Sequence, residues 1–140
     1  MTIIITGTST GIGFALAEYF GKKGHSVFGL SRKNVLSAYF KTIPTDITDN
    51  LQVQNAVSEI LKTEKNIDVL INNAGMGMVG AVEDSTQEEI IKLFNLNLVG
   101  SVQMMSAVLP SMRAQKLGKI LNISSIGSEM GLPFRGFYSA

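Results

Sequence analysis

The chain opens with Met1-Thr-Ile-Ile-Ile-Thr-Gly-Thr-Ser-Thr-Gly-Ile-Gly-Phe-Ala15, and this stretch decides the fold. Its three consecutive isoleucines are long enough for a buried strand and too short for a helix. The glycines that follow end the strand and open a helical pattern, whose predicted apolar face consists of Ile12, Ala15, Leu16, Tyr19 and Phe20. A strand, a glycine-rich turn and a helix predict a phosphate cradle. Glycine admits positive φ, and the free N–H groups of the helix start point at the anion.

The glycine spacing by itself leaves two interpretations open. Gly7-x-x-x-Gly11-x-Gly13 is neither the G-x-G-x-x-G dinucleotide pattern nor a P-loop, since no lysine follows the glycines. Three glycines here could equally form no more than a tight turn. Their position between a strand and a helix favours phosphate binding.

Composition excludes several classes of function. The 140 residues suit one domain, and a hydrophobic share of 45% is enough for a real core. A formal net charge of +1 gives no support to nucleic-acid binding. There is no cysteine and only one histidine, His25, so neither a disulfide framework nor a metal site is expected. No apolar run approaches the roughly 18 residues of a membrane span, and the first strand begins at once, so we expect a cytoplasmic protein without a signal peptide or membrane contact.

The periodicity of the remaining chain predicts alternating helices and strands. We expect helices over 11–23, from Asp49 onward, and from a capping box at 85–88 to about Lys116, the last interrupted near Asn97 or Gly100. Further strands are expected at 26–30, 39–45, 67–71 and 119–124, and a helix start near Tyr138. Several strands are apolar on both faces, which is typical of a doubly wound parallel sheet with helices on both sides. The predicted fold class is therefore α/β.

The polar residues of interest all follow predicted strands. They are the glycine turn, Ser31-Arg32, Asp46, Asn72 to Gly75 and Ser124-Ser125. Each has an ordinary structural explanation when taken alone, as a turn residue, a strand end or a solvated face. Ligands of such sheets bind at the carboxyl ends of the strands, so the set together predicts one small-molecule site.

These motifs carry a resemblance to a known family. The chain contains Thr6-Gly7-x-x-x-Gly11-Ile12-Gly13, Asp46, Asn72-Asn-Ala-Gly75, Asn97, and Ser125 thirteen residues before Tyr138. In this order and at these spacings it resembles a classical short-chain dehydrogenase/reductase over all 140 residues. The resemblance implies a Rossmann-like sheet that is incomplete here on its C-terminal side.

The resemblance implies which residues bind a nicotinamide cofactor. The glycines would hold its pyrophosphate, Ser9 and Thr10 would lie near the adenosine ribose, and Asp46 and Ile47 would meet the adenine. The full implied set is Gly7, Ser9, Thr10, Gly11, Ile12, Gly13, Ser31, Arg32, Asp46, Ile47, Asn73, Ala74 and Gly75.

The resemblance also implies the catalytic residues of an alcohol–ketone or alcohol–aldehyde interconversion by hydride transfer. Tyr138 would be the acid/base, Ser125 would hydrogen-bond the substrate oxygen, and Asn97 would support a relay through bound water. A free phenol titrates near pH ~10, and in the family a lysine four residues after the tyrosine supplies the positive charge that brings proton exchange nearer neutrality.

One position bears on the choice of cofactor. An acidic residue at the end of the second strand would bind the ribose 2′-hydroxyl of NAD and repel a 2′-phosphate. Here Ser31 occupies that position, followed by Arg32 and Lys33. Arginine suits a phosphate, so the sequence favours NADP, with NAD as the alternative.

The last residues of the sequence can be compared with the family's tyrosine–lysine motif. Ala140 lies two residues after Tyr138, before the family's lysine, so we expect residues 1–140 to be the dinucleotide-binding, N-terminal part of a longer single domain. Met104, Met105, Val108 and Met112 look over-supplied for half a domain, and by resemblance we expect a homodimer or homotetramer. Methionines at 76, 78 and 130 hint at an apolar carbonyl or alcohol substrate. The alternative is a non-catalytic dinucleotide-binding or oligomerisation module that lacks the lysine.

Overall fold

The computed structural model describes residues 1–140 and contains five strands and five helices. The strands are β1 (Thr2–Thr6), β2 (Ser26–Ser31), β3 (Lys41–Pro44), β4 (Val69–Asn72) and β5 (Lys119–Asn122). The helices are α1 (Gly11–Lys22), α2 (Asn50–Thr63), α3 (Gln87–Phe94), α4 (Gly100–Gln115) and α5 (Gly136–Ser139). A π-helical segment, Asn95–Val99, joins α3 to α4, and a 3₁₀ turn, Ile126–Ser128, follows β5.

The five strands form one parallel sheet in the order β3-β2-β1-β4-β5. The chain runs outward from β1 to β3 in one direction and then returns to continue through β4 and β5 in the other. The strand order therefore reverses between β1 and β4, which is where doubly wound sheets bind their ligands. This confirms the predicted fold class.

Strand β1 is at the centre and is buried on both faces. Ile4 belongs to a large apolar cluster with residues of α2 and α4, while Ile3 and Ile5 point into a smaller cluster against α1. This alternation follows the two-residue period of a strand. Helices cover both faces, as the uninterrupted run of isoleucines predicts.

Helix α2 follows its predicted pattern closely. Asp49 caps it through hydrogen bonds from the backbone N–H groups of Leu51 and Gln52. Its buried stripe consists of Val53, Ala56, Val57 and Ile60, while Leu61 at the end of the predicted stripe is exposed.

Helix α1 turns only part of its predicted face to the sheet: Leu16 and Phe20 pack against the smaller cluster as predicted, and Ala15 is exposed. Ile12 and Tyr19 are exposed, and the buried residues are Gly13 and Ala17. A Cβ at Gly13 would collide with the carbonyl oxygen of Gly7. The close approach of the helix start to the glycine turn therefore selects the small residues for the buried face.

The predicted capping box is present, one residue later than expected. Thr86 caps α3 and exchanges hydrogen bonds with Glu89. Ser85 instead donates its hydroxyl to the Ala81 carbonyl at 3.0 Å, so it is not the cap.

Helices α3 and α4 form a continuous 29-residue helix, Gln87–Gln115, that is long and apolar enough by length and composition alone to cross a membrane. The expectation of a protein without membrane contact stays a prediction. Met104, Val108 and Met112 are buried in the large core cluster of this chain. They are therefore not over-supplied, contrary to the sequence-based expectation.

Candidate functional site

The glycine turn after β1 has the backbone geometry of an anion cradle. Gly7 and Gly11 have φ values of 73° and 62°, in the left-handed region that favours glycine. Thr10 is the N-cap of α1 but makes no side-chain cap hydrogen bond. The side chain at the N-cap therefore does not satisfy the first backbone N–H groups of this 12-residue helix, and these groups can donate to an external anion.

The end of β4 is tied to the end of β1 by four hydrogen bonds. The hydroxyl of Thr6, which is fully buried, accepts from the backbone N–H groups of Asn73 and Ala74, both at 3.0 Å. The side-chain amide of Asn73 donates to the carbonyl oxygens of Thr6 and Gly7, at 3.0 and 3.3 Å. This Thr6–Asn73 clamp holds the glycine turn against the loop after β4.

A cavity of about 710 Å³ opens over the carboxyl ends of β1 to β4. We call it the first cavity. Ten of the thirteen predicted cofactor-binding residues line it: Gly7, Ser9, Thr10, Ser31, Arg32, Asp46, Ile47, Asn73, Ala74 and Gly75. Gly11 and Gly13 line neither this cavity nor the next one, and Ile12 lines the next one. Gly13 is instead a packing position, where the helix meets Gly7 and Asn73.

The first cavity is lined by two cations, Arg32 and Lys92, and by two carboxylates, Asp46 and Glu88. Ser31 is buried and donates its hydroxyl to the Lys33 carbonyl at 2.7 Å, which fixes the turn that carries Arg32. The structure has a single salt bridge, Lys22–Glu18, so the Arg32 guanidinium is not paired with a carboxylate. One oxygen of Asp46 accepts from both the N–H and the hydroxyl of Thr48.

A second cavity, of about 590 Å³, adjoins the first and is more apolar. The two share the residues Asn73 to Met76 as a common wall. The second cavity is lined by all three predicted catalytic residues, Asn97, Ser125 and Tyr138. The structure thus brings the predicted catalytic set and the predicted cofactor set to one edge of the sheet, although the individual roles stay predictions.

Asn97 lies in the π-helical segment and its side chain is held by the loop after β4. Its Oδ1 accepts from the Met76 N–H at 2.9 Å, and its Nδ2 donates to the Met76 carbonyl at 2.9 Å. Single-turn π-helical bulges inside α-helices are frequent at functional sites. Here the π-helical segment carries Asn97, whose side chain links this helix to Met76 in the wall between the cavities.

Ser125 and Tyr138 meet at Gly127. The Ser125 hydroxyl accepts from the Gly127 N–H at 3.1 Å, and a Cβ at Gly127 would lie 3.2 Å from the Tyr138 ring and 3.5 Å from that hydroxyl. A glycine here leaves room for the serine and the tyrosine to lie side by side. The Arg135 guanidinium stands over the Tyr138 ring, 5.7 Å from its centroid.

Sequence reasoning missed three functional positions. Thr6 was noted at the strand end and in the glycine motif but was given no role, and Gly127 and the backbone of Met76 were not considered. A threonine directly before the first glycine is the one available signal for the clamp, because a strand-end hydroxyl can satisfy backbone donors. No group of three or more histidine, aspartate or glutamate side chains is placed to hold a metal ion.

A family model and several known proteins are similar to this chain. The family model described as short chain dehydrogenase matches residues 1–140. The chain is 47% identical to 3-ketodihydrosphingosine reductase of Bacteroides thetaiotaomicron over 141 residues, which is 99% of this chain and 52% of that protein. It is 36% identical to the NADPH-dependent 3-dehydrocapnine reductase of Ornithobacterium rhinotracheale, covering 98% of this chain and 53% of that protein.

The fold comparison agrees. The solved structure of ElxO with NADP bound matches with a TM-score of 0.92 and 31% identity, over 99% of this chain and 60% of that one. The chain spans about half the length of the curated relatives it matches. A match over every residue, together with this sheet order and these motifs, shows that the chain belongs to the short-chain dehydrogenase/reductase family of oxidoreductases.

Proposed function

We propose that the complete protein is an NADP-dependent oxidoreductase that interconverts an alcohol and a ketone or aldehyde. One observation carries this proposal. The two cavities share the wall Asn73 to Met76, so a dinucleotide in the first can extend to the Ser125–Tyr138 pair in the second.

The residues of the first cavity fit a dinucleotide, which this family binds as NAD or NADP. The uncapped N-terminus of α1 and the left-handed Gly7 suit the pyrophosphate, because backbone N–H groups there can face an anion closely. Asp46 and Ile47 would border the adenine. The bound cofactor would supply or accept the hydride.

The preference for NADP rests on charge. Ser31 stands where NAD-binding chains carry a carboxylate, and its hydroxyl is engaged with the Lys33 carbonyl. The adjacent Arg32 has no carboxylate partner and can pair with a 2′-phosphate. The NADPH-dependent relative and the NADP-bound structure are consistent with this choice.

The second cavity supplies the acid–base chemistry. Reduction of a carbonyl leaves negative charge on its oxygen, and Tyr138 would deliver the proton to that oxygen while Ser125 donates a hydrogen bond to it. Asn97 would hold the wall of this site through Met76 and support a bound-water relay. The lysine that the family places four residues after the tyrosine would be residue 142 of the complete protein.

The substrate we propose is an apolar ketone. Twelve of the 23 residues that line the second cavity are hydrophobic. Two relatives are named for 3-ketodihydrosphingosine and 3-dehydrocapnine, which are ketones. The cavity lining favours an apolar substrate, and the names of the relatives favour a ketone.

The test is turnover by the complete gene product. We expect oxidation of NADPH when a ketone is added, measured at 340 nm, and a Tyr138→Phe variant as the inactive control. A protein that binds NADPH but reduces no ketone or aldehyde would favour the non-catalytic module. Intact mass of the protein from its natural source shows whether the chain extends beyond 15.1 kDa.

The cofactor preference has its own test. Ser31→Asp places a carboxylate where it would repel the 2′-phosphate and bind the ribose 2′-hydroxyl. We expect the ratio of NADPH to NADH affinity to fall by roughly tenfold or more, a change of about 1.4 kcal/mol. Ser31→Asn is the matched uncharged control. An Asp variant that keeps the wild-type ratio excludes the proposed site of the 2′-phosphate.

Cytoplasmic location and assembly into a homodimer or homotetramer remain predictions. Fractionation of the source cells tests the first. Mass measurement in solution by light scattering tests the second.

A further inference from the structure

The π-helical segment between α3 and α4 borders both cavities. Asn95 and Leu96 line the first cavity, and Asn97 and Leu98 line the second. Gly100, the first residue of α4, follows the segment directly and is buried. The place of this part of the helix therefore affects the shape of both sites.

Gly100 lies directly against Ile47, in the loop after β3. A Cβ at Gly100 would lie 2.8 Å from both Cγ1 and Cδ1 of Ile47 and 3.2 Å from the Ile47 carbonyl oxygen. Two carbon atoms make a favourable contact at about 3.5–4.0 Å. No side chain therefore fits between the helix and Ile47 as they stand.

The backbone at Gly100 does not itself require a glycine. Its φ of −59° and ψ of −42° are ordinary helical values, which any residue adopts. Alanine also has a higher helix propensity than glycine. The contact with Ile47 is therefore what the absent side chain serves in this structure.

Ile47 stands between Gly100 and the first cavity. It is only 4% exposed and belongs to the large apolar cluster, yet it lines the first cavity beside Asp46. The close-packed cluster offers no free volume on its own side. An Ile47 side chain that is pushed away from Gly100 would therefore move toward the cavity.

The helix itself is held from the loop after β4. Asn97 exchanges two hydrogen bonds with Met76, both at 2.9 Å, and a Cβ at Gly75 would lie 3.3 Å from Asn97 Oδ1. The helix would have to disturb these contacts in order to move away from Ile47. A side chain at position 100 therefore meets less resistance from Ile47, which borders free space, than from the helix.

We propose that Gly100 is a positioning residue for the cofactor. By letting α4 lie against Ile47, it sets how far that side chain projects into the first cavity, and hence how tightly the adenine end of a dinucleotide binds. This inference rests on the cofactor-binding part of the proposed function. It adds to that function a residue that lines neither cavity and acts through Ile47.

The experiment measures binding of ADP-ribose to the complete gene product by calorimetry. ADP-ribose carries the adenine and the pyrophosphate but has no nicotinamide and no 2′-phosphate, so its binding is independent of hydride transfer and of the choice between NAD and NADP. We expect Gly100→Ala to weaken this binding roughly tenfold, because overpacking displaces Ile47 into the adenine site.

Gly118→Ala is the matched control. Its added methyl would collide with the side chain of Met112, which belongs to the same apolar cluster but lines neither cavity. The control should therefore show the cost of overpacking this cluster in its melting temperature and keep the wild-type affinity for ADP-ribose.

Shortening residue 47 tests whether Gly100 acts through it. Ile47→Val removes one of the two side-chain atoms that a Cβ at Gly100 would meet, and Ile47→Ala removes both. The loss of affinity caused by Gly100→Ala should therefore be smaller in the Ile47→Val background and should vanish in the Ile47→Ala background. This comparison of the two backgrounds remains decisive if Gly100→Ala alone does not fold.

The outcomes separate this inference from the proposed function. Weakened ADP-ribose binding that recovers as residue 47 is shortened supports the inference even if no ketone is reduced, in which case only the proposed reaction fails. Unchanged binding in Gly100→Ala, or an equal loss in Gly118→Ala or in both backgrounds, overturns it, while turnover of a ketone would leave the proposed function intact. A lower kcat with unchanged ADP-ribose binding would show that the glycine serves Asn97 and would also overturn it, as would a wild type that binds no ADP-ribose.

Discussion

The two cavities open at the same sheet edge, yet they are built in different ways. The first is bordered by the ends of buried strands, with the Thr6–Asn73 clamp between β1 and β4. The second is closed on one side by residues 119–140, among which Gly127 alone is buried. Strand β5 is hydrogen-bonded along β4, but beyond it residues 123–140 are held to the rest of the chain by two backbone hydrogen bonds, from Ile123 N–H to the Asn72 carbonyl and from Gly80 N–H to the Phe134 carbonyl.

Within these 140 residues, the buried framework and the predicted catalytic residues Ser125 and Tyr138 therefore lie in separate parts. Substitutions in the clamp or the glycine turn should change the free energy of unfolding. Substitutions in residues 119–140 should change turnover while leaving the fold and cofactor binding in place, because local stability follows buried contacts. The predictions below test this division, from the largest expected effect to the smallest.

Tyr138→Phe tests the catalytic side. Removing the hydroxyl removes the proposed proton donor, so we expect kcat of the complete protein to fall by roughly 10²- to 10⁴-fold. The melting temperature and the Kd for NADPH should change little, since the ring is only half-buried. Steady-state kinetics and calorimetry measure the two. If the melting temperature of Tyr138→Phe fell markedly together with its kcat, the proposed separation of stability from catalysis would be contradicted.

Gly13→Ala tests the cofactor side. A Cβ there would collide with the Gly7 carbonyl and the Asn73 side chain, so the helix start and the clamp cannot both keep their places. We expect a loss of about 2–3 kcal/mol in the free energy of unfolding. Gly131→Ala is the matched control from the other region, because nothing lies within 4 Å of its added methyl. Urea denaturation of both variants measures the contrast.

The sequence predicted best the features that depend on residues close together in the chain. The stripe Val53 to Ile60 and the Asp49 cap were predicted correctly because periodicity and capping are properties of neighbouring residues. At the predicted interruption near Asn97 the structure has a π-helical segment, inside a helix that stays continuous from Gln87 to Gln115.

The failures concern partners that are distant in the chain. The buried face of α1 was predicted correctly for Leu16 and Phe20 but not at Gly13, whose approach to Gly7 and Asn73 no helical period encodes. The clamp was missed because Thr6 and Asn73 are 67 residues apart. The capping box was misplaced by one residue, since Ser85 and Thr86 are both good caps and the Ala81 carbonyl decides between them.

Thr6→Val tests the clamp itself. Valine keeps the shape of the side chain but cannot accept from the Asn73 and Ala74 N–H groups, and we expect a loss of about 1–3 kcal/mol. Thr8→Val is the matched control, because the Thr8 hydroxyl is also fully buried but has no hydrogen-bond partner. Thr8→Val should therefore be neutral or stabilising. Similar losses in the two variants would show that the clamp contributes nothing specific.

Asp49→Asn has the smallest expected effect on stability. The pH dependence of this effect tests whether the charge of the Asp49 cap stabilises helix α2. Hydrogen bonds from the Gln52 backbone N–H, the Gln52 side chain and the Leu51 N–H hold the pKa of Asp49 below its ordinary value of 3.8. A carboxyl whose pKa is lower in the folded state contributes stability that is complete above pH 3.8 and is lost as pH falls through the folded-state pKa.

Asparagine can still cap α2 but does not titrate, so the stability of wild type relative to Asp49→Asn should shrink as pH falls from 5 to 2. Denaturation followed by circular dichroism at several pH values measures this difference. Glu83→Gln is the control, since it removes an exposed carboxylate that accepts no hydrogen bond in the structure. If wild type and Asp49→Asn lose stability in parallel, the cap does not act through its charge. The acid sensitivity of the framework would then have to arise at other carboxylates.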